Sequence, residues 1–238
     1  MPVKSPLHDL HKELGARFTE FAGFEMPIQY SSIRDEHLTV RKSVGVFDVS
    51  HMSNIWITGK EAEKLISLTT VEDASKIPDG KSQYTAILKE DGTVIDDTIF
   101  MHLGDKFMMI PNAGMADIVT KWLNKKAEEN NLCATVENVS QDFVIIAVQG
   151  PKARDTLQKL TDVDLKTIGF FACKYIKIAG VECIISHTGY TGELGFELQV
   201  TPNSVAEKVF KEVLKAGKEF HLISVVTISQ EWVHRADQ

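Results

Sequence analysis

The sequence predicts an α+β fold with mainly antiparallel sheets. Apolar residues switch repeatedly between helical and alternating spacing along the chain, which indicates both helices and strands. The strand-like segments arrive as hairpins rather than as regular βαβ repeats. The pair Asp91-Gly92, between the apolar runs 84–88 and 94–100, is a strong hairpin signal. With 238 residues, 43% of them hydrophobic, the chain can form one or two domains.

The first predicted helix begins near Ser31 and Ser32, which provide an N-cap, and Asp35 and Glu36 follow in its first turn. A strand over 53–58 and a short helix over 61–68 come next. A strand over 143–148, a turn at Gly150-Pro151 and a helix over 152–160 repeat this order. The similarity between 58–62 and 149–153 indicates either two related units or a coincidence.

The remaining elements follow from the same patterns. We predict a strand over 107–110, an amphipathic helix over 115–129, a hairpin of 175–178 with 181–185, and a helix over 204–215. After 220 the segment 221–232 has the composition of one more strand, but it has no cap or turn.

Composition excludes several classes of protein. The net charge is −7, and no basic run is longer than Lys125-Lys126, so we expect no nucleic-acid partner. No segment approaches the ~20 apolar residues that span a bilayer, so no membrane partner is expected. The N-terminus lacks an apolar or Arg-rich leader, which favours a cytoplasmic location. Cys133, Cys173 and Cys183 form no C-x-x-C pair and are predicted to be reduced, small hydrophobic residues.

The pair Asp96-Asp97 lies inside a predicted strand, so one carboxylate points to each face. Both could be solvated near the strand end, or one could face a pocket and hold or relay a proton. Adjacent carboxylates diverge, which excludes a glycosidase pair. No His or Cys stands at metal-ligand spacing, so no metal site is predicted.

The segment 186–197 contains Gly189, Gly192 and Gly195, which suit a tight turn or the close approach of a ligand to the backbone. It is not a P-loop, because no Gly-Lys-Ser/Thr follows. Tyr190 and Glu197 add an aromatic plate and a carboxylate, a pairing suited to a planar heterocycle. A plain hairpin turn is the alternative.

Ser50 and His51 are adjacent, which raises the question of nucleophilic catalysis. The Gly-x-Ser-x-Gly signature is absent, so this chemistry is not predicted. We expect His51 to be a structural histidine.

Several ordered segments stand out along the chain: 23–30 (Gly-Phe-Glu-Met-Pro-Ile-Gln-Tyr), 35–37 (Asp-Glu-His), 45–52 (Gly-Val-Phe-Asp-Val-Ser-His-Met), 92–97 (Gly-Thr-Val-Ile-Asp-Asp), 112–114 (Asn-Ala-Gly), 149–151 (Gln-Gly-Pro) and 188–193 (Thr-Gly-Tyr-Thr-Gly-Glu). Together they resemble the glycine cleavage T-protein family, the aminomethyltransferases, in the family's order and at close to its spacing. The resemblance is nearly continuous from about 6 to 220.

The resemblance implies a reaction: transfer of an aminomethyl group from the lipoyl arm of H-protein to tetrahydrofolate, with release of ammonia. Tetrahydrofolate is then a co-substrate, lipoylated H-protein a partner, and no metal is implied. Asp96 matches the family's catalytic carboxylate near the pterin. The residues that match the folate lining are Met52, Tyr84, Asn112, Met115, Tyr190 and Glu197.

Two other functions remain open. Some relatives of this family, linked to iron–sulfur cluster upkeep, bind folate without this catalysis. The segments Glu36-His37 and 49–52 favour the transferase branch. The other alternative is a truncated chain that folds but neither binds folate nor catalyses the transfer.

The resemblance also implies a domain organisation. Residues 1–50 with 140–220 form a first, discontinuous α+β domain, and 51–139 form an inserted subdomain. The family continues with an arginine-bearing helix and a β-barrel-like domain, whereas the tail 221–238 departs from that pattern. We therefore interpret the chain as a two-domain remnant of the T-protein fold with the barrel domain missing. Arg235 does not stand in the context of the family's arginine.

We expect the 238-residue chain to bind tetrahydrofolate about one to two powers of ten more weakly than a version extended by the family's C-terminal domain. The reason is the lost charge-assisted hydrogen bond to the folate tail. Uncovered apolar surface should also favour self-association. Titration of tetrahydrofolate into both chains measures the difference, and equal dissociation constants would contradict the expectation.

Overall fold

The computed structural model describes residues 1–225. Its strands are β1 (Val3–Lys4), β2 (Arg17–Phe21), β3 (Phe24–Gln29), β4 (Gly45–Asp48), β5 (Ile55–Thr58), β6 (Ser82–Leu88), β7 (Val94–Leu103), β8 (Lys106–Pro111), β9 (Thr135–Asn138), β10 (Val144–Gln149), β11 (Cys173–Ile178), β12 (Val181–Ser186), β13 (Gly195–Val200) and β14 (Ile223–Ser224). Its α-helices are α1 (His8–Glu13), α2 (Ile33–Lys42), α3 (Ala62–Thr69), α4 (Ala116–Glu129), α5 (Ala153–Gln158) and α6 (Ala206–Ala216).

The strands form three sheets, with the orders β1-β3-β2, β11-β12-β13-β10-β4-β14 and β6-β7-β8-β5-β9. The pairs β1–β3 and β4–β14 are parallel, whereas the central pairs of the two large sheets are antiparallel. The predicted α+β class with mainly antiparallel sheets is therefore confirmed. No helix within residues 1–225 is long and apolar enough to cross a membrane.

The chain divides into two compact units. Among the described residues, the first contains 1–50, 142–170 and 175–225, and the second contains 51–141 with 171–174. The six-stranded sheet belongs to the first unit, apart from the first two residues of β11, and the five-stranded sheet belongs to the second.

The predicted helix caps and hairpin are present. Ser32 caps α2, and its side chain accepts a hydrogen bond from the Asp35 amide at 3.1 Å. The turn between β6 and β7 closes with a bond from the Gly92 amide to the Lys89 carbonyl at 3.0 Å, and Gly92 has a φ of 82°. Local side-chain chemistry therefore determines these element ends.

The sequence patterns missed helix α1 and six strands. Most of these strands are short, or their pattern does not alternate between polar and apolar residues. β4 is buried at all four positions, so no alternation marks it. Of the strand expected after 220, β14 forms Ile223–Ser224, and the part from 226 lies outside the described residues. The missed elements are α1, β1, β2, β3, β4, β9 and the strand β13 that follows the glycine-rich segment.

The two similar sequence segments form similar structures. After β5, Gly59 has a φ of 104° and its carbonyl accepts from the Ala62 amide at 3.1 Å. After β10, Gly150 has a φ of 127° and its carbonyl accepts from the Ala153 amide at 2.9 Å. Three strands then follow each helix, in the sheet orders β6-β7-β8-β5 and β11-β12-β13-β10. This shared topology favours two related units over coincidence.

The six-stranded sheet has one apolar and one polar face. Along β13, Phe196, Leu198 and Val200 are fully buried and alternate with Glu197 and Gln199, as strand geometry requires. Helix α5 lies against the apolar face, where the Arg154 guanidinium is 6.0 Å from the centre of the Phe196 ring. The register places Gln149 opposite Gly195, and both Ala147 and Ser186 opposite Glu197, on the other face.

Helices α3 and α4 cover one face of the five-stranded sheet. Their apolar side chains pack with those of the strands into one buried core. The core includes Ile55, Ile57, Leu65, Ile66, Ile87, Phe100, Phe107, Met109, Val119, Leu123 and Val136.

The cysteine prediction is right at two of the three positions. Cys173 and Cys183 are buried, and burial raises their pKa values to about 11 and about 12. Cys133 is exposed, so the expectation of a buried hydrophobic residue is wrong there. Cys133 lies in the connection between α4 and β9, and its backbone packs closely against Gly59. A Cβ added at Gly59 would lie 2.5 Å from the Cys133 carbonyl oxygen.

Asp48, at the end of β4, is the centre of a buried polar network that ties the N-terminal segment to the six-stranded sheet. Its Oδ2 accepts from His11 Nε2 at 2.9 Å and from the Ser5 hydroxyl, and its Oδ1 accepts from the Ser50 amide and hydroxyl. An ionised carboxylate only accepts hydrogen bonds, so His11 Nε2 carries the proton that faces Asp48, and His11 Nδ1 lies 2.8 Å from Tyr30 Oη. Ser50 is thus engaged structurally, in agreement with the sequence argument against a nucleophile.

Burial alone would raise the pKa of Asp48, but hydrogen bonds from His11, Ser5 and Ser50 outweigh it and hold the pKa below its usual value. A carboxyl with a lowered folded pKa stabilises the fold fully above its unfolded pKa, and this contribution is lost as pH falls through the folded value.

We predict that Asp48→Ala lowers the free energy of unfolding by about 3 kcal/mol at neutral pH, because it leaves buried donors without an acceptor. The control is Asp9→Ala in α1, whose side chain is 93% exposed. Chemical denaturation at neutral and acidic pH measures both, and the gap between parent and Asp48→Ala should narrow in acid. Equal losses in the two variants would contradict the role of this network.

Candidate functional site

Asp96 and Asp97 point to opposite faces of β7. Asp96 is 8% exposed and pairs across the sheet with Ile87, on the face covered by α3 and α4. Asp97 is exposed. The predicted divergence of the two carboxylates is therefore confirmed, and the interpretation that both are solvated is wrong for Asp96, because the helices cover its face.

Asn112 connects both carboxylates. Its amide donates to Asp96 Oδ2 at 3.0 Å and its side-chain Nδ2 donates to Asp96 Oδ1 at 2.9 Å. The same Nδ2 is 3.0 Å from Asp97 Oδ1. Asn112 also begins the turn into α4, since its carbonyl accepts from the Met115 amide at 3.0 Å. Both oxygens of a buried carboxylate thus have a donor, as burial of a charge requires.

Tyr84 joins this cluster from the other face of the sheet. Its hydroxyl donates to Asp97 Oδ2 at 2.8 Å, and the residue is 54% exposed. Met52 is half-buried in the turn before β5, and the next residue, Ser53, bonds to the carbonyl of Pro111 at 3.1 Å, immediately before Asn112. Five predicted site residues therefore lie near one another in the second unit: Met52, Tyr84, Asp96, Asn112 and Met115.

In the first unit the glycine-rich segment folds around Gln149, which has no exposed surface. Gln149 Nε2 donates to the Thr188 carbonyl at 3.1 Å, and its Oε1 accepts from the Thr191 hydroxyl at 2.9 Å. A Cβ added at Gly189 or Gly195 would lie 2.1 or 2.3 Å from the Gln149 amide. Two of the three glycines are therefore required by packing against one side chain.

The loop is also tied to α2. Arg41 Nη1 donates to the Thr191 carbonyl at 2.8 Å and pairs with Glu193 Oε1 at 3.0 Å. Tyr190, between these anchors and Gln149's contacts, is 55% exposed. The anchored loop therefore presents the tyrosine ring outward from a fixed backbone.

Glu197 is partly buried on the polar face of the six-stranded sheet. Its Oε2 accepts from the Thr188 hydroxyl, and Thr188 is in turn 2.7 Å from the Ser186 hydroxyl. Burial raises the pKa of Glu197, while the bond from Thr188 opposes that rise. Within residues 1–225 no hydrogen bond reaches Glu197 Oε1, so this oxygen can accept from a ligand.

Sequence reasoning missed Gln149, Thr188 and Ser186 as parts of the site. Gln149 lies 39 residues from its partner Thr188, so no local pattern indicates the contact. The glycines were the available signal, because two glycines in one loop indicate that another group packs too close to the backbone for a side chain to fit.

The family model of the GCVT N-terminal domain matches residues 7–231. The chain belongs to the GCVT N-terminal domain family. The resemblance inferred from the ordered motifs is confirmed, and the match extends to residue 231, beyond the limit of about 220 that the sequence analysis gave the resemblance.

Similar proteins include aminomethyltransferases. The chain is 40% identical over 222 residues to the aminomethyltransferase of Chloroherpeton thalassium, covering 93% of this chain and 60% of that protein. It is 42% identical over 211 residues to that of Thermosipho melanesiensis, covering 88% and 58%. The crystal structure of glycine cleavage system aminomethyltransferase T from Bartonella henselae is similar, with a TM-score of 0.89, 30% identity, and coverage of 98% of this chain and 62% of that one. The chain thus spans about 60% of the length of such family members.

We predict that Gly189→Ala lowers the free energy of unfolding by about 2 kcal/mol, because the new methyl group overlaps the buried Gln149 amide. Gly169→Ala is the matched control, since both glycines are exposed and a Cβ at Gly169 has no heavy atom within 4 Å. Thermal and chemical denaturation compare the two variants. Equal stability of the two would contradict the packing of the loop on Gln149.

Proposed function

We propose that this chain carries the folate site of an aminomethyltransferase, which transfers the aminomethyl carbon from lipoylated H-protein to tetrahydrofolate with release of ammonia. The proposal is supported by the aminomethyltransferase relatives and by the positions of the carboxylates. The observation that carries it is the buried Asp96, whose two oxygens are both oriented by Asn112.

Asp96 has the chemistry that this transfer requires. As folate amines bond to the methylene carbon, the bonds from that carbon to the lipoyl sulfur and to the departing ammonia break. Each attacking folate nitrogen becomes cationic and must lose a proton. A carboxylate held in place stabilises that charge and accepts the proton, without reorganisation during the reaction. Asn112 fixes the direction of the carboxylate, because its amide and side chain each bind one oxygen.

The other predicted residues suit recognition of the folate. A pterin ring presents adjacent N–H donors and a flat face. Glu197 offers a carboxylate with Oε2 already held by Thr188, and Tyr190 offers an exposed aromatic ring. The exposed Tyr84 ring is fixed through Asp97. We assign Met52, Tyr84, Asn112, Met115, Tyr190 and Glu197 to folate binding, and Asp96 to catalysis.

The binding step is tested by calorimetric titration of tetrahydrofolate under anaerobic conditions. Binding accompanied by ammonia release from aminomethylated H-protein supports the transferase. Binding without release favours the folate-binding alternative, and absence of both in this chain and in a version extended by the C-terminal part of the relatives would refute the proposal.

We predict that Asp96→Asn lowers the rate of ammonia release by about a hundredfold or more, while Asp97→Asn has a much smaller effect. The two changes are matched, because both remove a charge from neighbouring residues that contact Asn112. Single-turnover assays with tetrahydrofolate and aminomethylated H-protein measure the rate. A larger loss from Asp97→Asn would reverse the assignment.

A further inference from the structure

A chain of hydroxyl groups ends on Glu197. Ser186 at the end of β12 and Thr188 two residues later are both buried, with 0% and 3% of their surface exposed. Ser186 Oγ lies 2.7 Å from Thr188 Oγ1, which in turn contacts Glu197 Oε2. The backbone places the first and last members together, since Ser186 is opposite Glu197 in the β12–β13 register.

The direction of the hydrogen bonds in this chain follows from the number of protons. An ionised carboxylate only accepts hydrogen bonds, and a threonine hydroxyl has one proton to donate. Thr188 therefore donates to Glu197, and Ser186 must donate to Thr188. Gln149 fixes the backbone of the central member, because it binds the Thr188 carbonyl at 3.1 Å.

The charged and titratable side chains nearest to Glu197 lie on the opposite face of the sheet or are paired with other residues. His187 stacks on Phe196 with ring centres 4.7 Å apart, and Arg154 of α5 lies over the same ring at 6.0 Å. Phe196 and Glu197 are consecutive strand residues, so these groups lie on the opposite face. Arg41 of α2 is paired with Glu193 of the loop. The opposing residues on β10 and β12 are Ala147 and Ser186, which are uncharged, so the hydroxyl chain is the partner that stabilises the ionised carboxylate.

We propose that Thr188 is a positioning residue, which holds the Glu197 carboxylate ionised and oriented so that Oε1 can accept N–H donors of a planar heterocycle. The identity of that ligand as the folate pterin rests on the proposed function. The effect on Glu197 itself does not depend on the ligand, because the hydrogen bond joins two residues of this chain.

The test compares Thr188→Val, which keeps the side-chain shape and removes the hydroxyl, with Thr188→Ser, which keeps the hydroxyl. The first readout needs no ligand. The Glu197 carboxyl is followed through a pH titration by NMR of the 238-residue chain with ¹³C-labelled glutamate, and its signal is assigned with Glu197→Gln. We expect the titration midpoint to move upward in Thr188→Val, because the ionised form loses its donor, and to stay near the parent value in Thr188→Ser.

The second readout is the pH dependence of tetrahydrofolate binding. Thr188→Val should bind about tenfold more weakly than the parent on the acid side of the profile, where its Glu197 is protonated, and should approach the parent at alkaline pH. Thr188→Ser should follow the parent throughout. Uniform weakening at every pH, or equal titration of Glu197 in the two variants, would overturn the proposal.

The two readouts separate this proposal from the proposed function. If the parent binds no tetrahydrofolate, the proposed function fails for this chain, while the ligand-free titration still decides the role of Thr188. If Thr188→Val does not fold, Ser186→Ala replaces it. That variant should move the midpoint upward by a smaller amount, because Thr188 loses the donor that orients it, and an unchanged midpoint there would refute the proposal.

Discussion

The buried amide of Gln149 is the interaction on which the candidate ligand loop depends. An amide without solvent contact must satisfy its donors and its acceptor within the protein. Its nitrogen donates to the carbonyls of Thr188 and Phe196, and its oxygen accepts from the Thr191 hydroxyl. Thr188 and Thr191 are the two ends of the turn that carries Tyr190. Satisfying one side chain therefore fixes the loop, and the glycines permit the approach.

The same requirement explains how the two carboxylates are held. Asp96 is covered by helices and receives both donors from one residue, Asn112, in the turn before α4. Glu197 lies on the polar face of the other large sheet and receives its donor from Thr188. In each unit a polar group next to a turn orients a strand carboxylate, so the element boundaries and the chemistry are coupled. A change in either turn should alter the carboxylate as well as local stability.

The repeated strand, glycine turn and helix gives each unit the same framework. Gly59 and Gly150 have positive φ values, and each packs closely against other backbone. A Cβ added at Gly59 would lie 2.5 Å from the Cys133 carbonyl oxygen, and one added at Gly150 would lie 2.4 Å from the Ser43 carbonyl oxygen. Neither position accepts a side chain without movement of the backbone. The two units differ in what they place on this framework: an acidic pair with Asn112 in one, and a hydroxyl chain with Glu197 in the other. The framework therefore carries stability, while the side chains near the turns carry the candidate chemistry.

The sequence by itself determined the features whose causes lie within a few residues. The Ser32 cap, the Asp91-Gly92 hairpin and the divergence of Asp96 and Asp97 all follow from local geometry, and the ordered motifs were enough to indicate the family. Tertiary structure decided which carboxylate is buried, why Gly189 and Gly195 must be glycine, and that His11 forms a hydrogen bond with Asp48. The contacts of Asp48 and of Gln149 join residues 37 or more positions apart, and Asp96 meets Asn112 across 16 positions. Pairing at such distances depends on how strands and helices pack. Local patterns cannot encode it, because the same side chain is satisfied or solvated according to what the fold places against it.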